Sequence, residues 1–149
     1  MRSVGNVPCK RPDWRERLER FVLERSERPF VWGISDCVLF VADAILAMTG
    51  VDVAASYRER YSSEAGAQKL MNGRSLEQMM TEALGIPLPV PRFARFGDPC
   101  VVSIRSGMTA GLVMGEHVAA QGPSRVVRVP VRCVVAAWRL PEATSCLQR

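Results

Sequence analysis

The stretch that most constrains this chain runs from Pro29 to Gly50, PFVWGISDCVLFVADAILAMTG. An extended aromatic segment meets a glycine and then a run that reads as a helix opening on Asp36-Cys37. Val38, Leu39, Val41, Ala42, Ile45, Leu46 and Met48 cover most of the circumference of such a helix, which predicts a central element rather than a surface one. Ser35 or Asp36 can cap it by accepting a bond from a free backbone N–H. Gly50 can end it in the left-handed conformation. Cys37 then falls in the first turn, where unpaired N–H groups and the helix dipole favour a thiolate.

The flanking chain follows from similar signals. Asp13 can cap a helix from Trp14 to about Ser26, with Trp14, Leu18, Phe21 and Val22 on its apolar face. Pro29 stops it. Gly33 suits a sharp turn. Phe30 and Trp32 are expected to pack on the central helix, with the lining of a groove as the alternative. Val51–Tyr61 reads as a loop or short irregular helix, whose tyrosines and arginines suit either a protein interface or loop packing. Ser62 or Ser63 opens a helix that Asn72-Gly73 ends, and Ser75 opens another that ends at Gly85. Pro87, Pro89 and Pro91 mark a stiff extended connector.

Beyond Pro91 the pattern changes to strands. They are expected at Cys100–Ile104, Thr109–Met114, His117–Gln121, Val126–Pro130 and Val134–Leu140, with a tight reversal at Gly115-Glu116. Helices first and an antiparallel sheet second make an α+β domain. The organisation expected is an arm over residues 1–12, flexible or bound to a partner, one domain over 13–140, and a loose tail over 141–149.

Composition narrows the function classes. A chain of 149 residues with 48% hydrophobic side chains can bury a real core. No apolar run reaches the roughly 18 residues of a membrane span. Met1–Lys10 lacks the apolar centre of a secretory signal, so synthesis and folding in a cytosol are expected. The net charge of +5 comes from arginines spread along the chain. That fits a solvated or protein-binding surface better than nucleic-acid binding. The five cysteines, at 9, 37, 100, 133 and 146, include no C-x-x-C pair. An odd number in a cytosolic product argues for free thiols, with Cys100 and Cys133 in the core. A metal or iron–sulfur site shared among them is kept only as an alternative, and no cofactor is expected.

The Trp-Gly-x-x-Asp-Cys entry at Trp32–Cys37 resembles the NlpC-type cell-wall peptidases, a papain-like group whose nucleophile is the Cys at the helix start. The chain is more similar to a phage-tail relative of that group, a family of small tail proteins. That similarity rests on Phe30–Cys37, on Thr49–Asp52, on Tyr57 and Tyr61, and on Ala137–Arg139, within a region of roughly Trp14–Leu140. The resemblance implies a papain-like fold in which the Cys-bearing helix packs on a C-terminal antiparallel sheet or half-barrel.

It also implies a catalytic register. A thiol nucleophile needs a base in hydrogen-bond reach and a third group to orient that base. In the NlpC-type pattern the base is a His opening the second strand, and a third polar residue follows in the next strand. Matching Gly111 and Gly115 to the glycines of that pattern puts Thr109 at the base position and Gln121 at the third. Thr109 cannot act as a base at neutral pH. His117, the single histidine, falls at the far end of the hairpin, roughly six residues at about 3.3 Å each from the level of Thr109. Asp36 is better explained as a cap, and Asp43 as a partner for a buried backbone or arginine group.

Two classes follow. One is a structural component of a phage tail tip or hub, assembled in the host cytoplasm and carried in the virion. Its partners would be other tail proteins: hub, distal tail, fibre or tip. The other is a cysteine peptidase or amidase that opens peptidoglycan during genome entry. There Cys37 attacks an amide carbonyl while backbone N–H groups hold the oxyanion. A thiol-dependent acyltransferase of similar fold is a weaker third possibility. The residue inventory favours the structural class.

Overall fold

The computed structural model describes residues 7–147. Helices α1 (Trp14–Arg25), α2 (Cys37–Thr49), α3 (Glu64–Met71) and α4 (Leu76–Leu84) precede strands β1 (Pro99–Ile104), β2 (Gly107–Val113), β3 (His117–Gln121), β4 (Val126–Pro130) and β5 (Val134–Ala137). A short helix, α5 (Ala143–Leu147), follows. The strands form one open antiparallel sheet in the order β4-β3-β2-β1-β5. The architecture is therefore α+β.

The central helix forms for local reasons. The Asp36 carboxylate accepts from the Leu39 N–H at 3.0 Å, and Gly50 closes the helix with φ +78°. Leu39, Phe40, Ala44, Ile45 and Met48 are buried almost completely, whereas Leu46, expected on the buried circumference, is 39% exposed. The helix lies on β2 and β3, with α1 against its other side through Phe21 and Phe40 at 5.4 Å. Burying a side chain of this kind stabilises the fold by roughly 1.5–3 kcal/mol.

Strand alternation divides the sheet into two apolar faces. Val101, Ala110, Leu112, Ala119 and Ala136 face α2 with Trp138. Cys100, Val102, Val113, Val118, Ala120 and Val129 form the opposite face, covered by Leu88 and Ala94 of the proline-rich connector. Asp98, buried at the entry to β1, receives Arg139 at 2.9 Å and the Arg95 N–H at 2.8 Å. This ties the connector to the end of the sheet.

Several expectations need correction. Asp13 makes no side-chain cap and pairs with Arg17 instead. The last strand ends at Ala137, and Cys133, expected in the core, is only half-buried, in a one-turn 3-10 helix, Val131–Cys133. The described part of the expected arm is packed on the domain: Pro8 and Lys10 are buried, and the Arg11 N–H donates to the Met48 carbonyl at 2.9 Å. Residues 1–6 of that arm lie outside the described residues. Residues 148 and 149 lie outside the described residues, and the described part of the tail is not loose. It carries α5, and Cys146 is disulfide-bonded to Cys9. That bond also corrects the expectation of free thiols, which holds only for Cys37, Cys100 and Cys133.

Candidate functional site

Cys37 opens α2 at the floor of a cleft of about 400 Å³. Trp32, Tyr61, Met71 of α3, Met79 of α4 and Met108 of β2 line it. The segment before Cys37 is held rigidly. Gly33 has φ +78°, and a Cβ there would stand 2.1 Å from the Tyr61 carbonyl oxygen. Only glycine permits that approach. The Gly33 carbonyl in turn accepts the Glu59 N–H at 2.9 Å. Trp32 lies edge-on to Phe30 at 4.7 Å and to Tyr61 at 6.4 Å. Trp32 thus lines the groove, the alternative reading for this residue.

The buried carboxylate of Asp36 is fully engaged. It accepts from the Leu39 N–H, the Gly33 N–H and the Tyr61 hydroxyl. Burial and the adjacent Asp36 push the Tyr61 phenol well above its ordinary range. Asp36 therefore builds the turn into α2. Asp43, further along α2, pairs with Arg25 and Arg58, and Arg58 also pairs with Asp52.

The Cys37 thiol is pushed above its ordinary value, chiefly by burial and further by the charge of Asp36. Backbone N–H groups of Ala110, Val38 and Cys37 itself pull the other way. The helix-start effect expected from sequence is present, but desolvation outweighs it.

Across from Cys37 the strand offers no base. In the β1–β2 register Val101 pairs with Ala110 and Val102 with Thr109. Val101 and Ala110 belong to the face toward α2, and Val102 to the opposite face. The Thr109 side chain is thus directed away from Cys37. The β2 residues on the Cys37 side are Met108 and Ala110, neither of which titrates. Thr109, the residue expected at the base position, thus sits on the face opposite Cys37, since adjacent strand residues point to opposite faces.

His117 pairs with Pro130 at the start of β3, and its carbonyl accepts the Met114 N–H at 2.8 Å. Its level is therefore four residues along β2 from Ala110, about 13 Å at the usual strand rise. Burial, with Arg128 nearby, lowers its pKa. Gln121 is buried at the other end of β3, on the α2 side by alternation from Ala119. Its Nε2 donates to the Arg28 carbonyl at 2.8 Å and the Gly122 carbonyl at 2.9 Å. Those bonds anchor the α1–α2 connection to the sheet. Cys37 and Gln121 thus flank the same end of the sheet, while His117 stands at the other.

Residues 9–140 match a family model described as a domain of unknown function, DUF6950. The chain belongs to that family. No curated protein matches it. The DUF6950 span contains the cleft, Cys37 and the entire sheet, and it ends before α5. Among the described residues of this DUF6950 chain, no group of three or more His, Cys, Asp or Glu could hold a metal ion. No helix there is long and apolar enough to cross a membrane.

Sequence reasoning missed three features: the Tyr61–Asp36 bond, the Asp98–Arg139 pair and the Cys9–Cys146 link. Strand parity could have found one more, because Ala110 shares its face with Leu112 and Thr109 does not.

Proposed function

We propose that this chain is a non-catalytic, papain-like structural component of a bacteriophage tail tip or hub. The observation that carries the reading is the setting of Cys37: a desolvated thiol held above its ordinary pKa, opposed on β2 by Met108 and Ala110. A cysteine hydrolase needs the reverse, a thiolate made available by an imidazole in contact.

The segments behind the resemblance to tail proteins support the same reading through what they do in the fold. Asp36 builds the turn into α2. Thr49 donates to the Ile45 carbonyl, and Asp52 holds Arg58. Trp138 fills the core and Arg139 neutralises Asp98. Each is occupied in building the domain. In the tail, its arginine-rich surface would meet hub, distal-tail, fibre or tip proteins.

The second reading, an amidase acting on peptidoglycan, draws on one observation: Cys37 lies at a helix start on the floor of an open cleft. Zymography on peptidoglycan separates the two. The structural reading expects no clearing by the wild-type chain or by Cys37→Ala. Clearing by the wild type that Cys37→Ala abolishes would overturn it.

A further inference from the structure

Cys9 and Cys146 are joined across 137 positions of sequence. The link lies where the first and last described segments run side by side. The Lys10 N–H donates to the Pro141 carbonyl at 2.8 Å, and Lys10 forms a parallel bridge with Glu142. The Lys10 ammonium lies 3.9 Å from the centre of the Trp14 ring and 3.8 Å from the Glu142 carboxylate.

The two sides of the junction are not held equally. Val7 and Pro8 pack inward, Lys10 is buried, and Arg11 bonds Met48. Beyond the buried Leu140 the described contacts are fewer, and Pro141, Ala143 and Cys146 are only half-buried. The Pro141 carbonyl takes one backbone bond, Glu142 is exposed, and α5 has five residues, too few for a helix to persist alone. Among the described contacts, the disulfide is the one covalent attachment of Pro141–Leu147 to the domain. Both of its cysteines are partly exposed.

We propose that Cys9 and Cys146 form a redox-operated clasp that fastens Pro141–Leu147 to the domain and releases it on reduction. The clasp closes by exchange with a small-molecule disulfide. One cysteine thiolate attacks that disulfide, forming a mixed disulfide and expelling one small thiolate. The second cysteine attacks the protein sulfur and expels the other. The two cysteines are oxidised, the small disulfide is reduced to two thiols, and the two protons lost by the cysteines pass to those thiols. A reducing cytosol holds the clasp open, and an oxidising medium closes it. Cys100, fully buried, is a poor competitor in this exchange. The clasp stands independently of any role for Cys37.

The full chain, equilibrated in buffers of reduced or oxidised glutathione, provides the test. Alkylation and mass spectrometry should count five free thiols in reduced buffer. In oxidised buffer they should count three, with Cys9 and Cys146 in one linked peptide pair. Amide exchange over residues 141–147 should be at least about tenfold faster in the reduced state, as expected for a locally released segment. Cys9→Ser should exchange at the fast rate in both buffers, while its core amides stay protected. Five free thiols in oxidised glutathione, a different pairing, or equal exchange in both buffers would overturn the clasp.

Discussion

Asp36 shows how much one side chain can settle. Its carboxylate collects a helix-capping N–H, a turn N–H and a phenol, all in a buried setting. Tyr61→Phe removes the phenol and leaves a buried acceptor short of one donor. That change should cost about 1–3 kcal/mol, measured by denaturant unfolding. An unchanged midpoint would mean that the phenol bond adds nothing. The cap itself was legible, because an Asp before an apolar helical run has a local signature. Its tyrosine partner, 25 positions away, has none. Thr109 illustrates another limit at this scale. Aligned glycines give it a place in the chain, but the side of the sheet it faces depends on pairing with β1 and not on spacing alone.

At the scale of elements, caps and punctuation carried the reading. The turn chemistry of Ser63, Asn72, Ser75 with Gln78, and Gly85 marks the ends of α3 and α4 where expected. Asp13 fails as a cap: its backbone, at φ −97° and ψ 24°, is not in the extended conformation of a capping residue, and its carboxylate meets Arg17 instead. The loop into α2 depends on Gly33 most sharply, where a positive φ and a close backbone approach coincide. Gly33→Ala should therefore destabilise the chain by about 2 kcal/mol or more, through strain and displacement of Tyr61. Thermal unfolding of the variant checks this. A melting temperature equal to wild type would show that the loop can move aside without loss, and the fixed geometry of the cleft would be in doubt.

For the whole molecule, the succession of helices and strands was written in the periodicity, and the α+β class followed. The spatial order β4-β3-β2-β1-β5 was not, because β5 returns across the sheet to pair with β1. Nor was the meeting of residues 7–10 with 141–146, which depends on the path of the entire chain. The account of function rests on the state of one sulfur within that assembly. Its most direct test is the rate of Cys37 alkylation by iodoacetamide against pH, followed on the Cys37 peptide by mass spectrometry. Burial favours the neutral thiol, so less thiolate exists at any given pH than in an ordinary cysteine. The rate should be low at neutrality, rise with pH, and reach its plateau at a higher pH than that of an ordinary cysteine. A rate already at its plateau at neutral pH would contradict the account, for it would mean a thiolate held ready for attack.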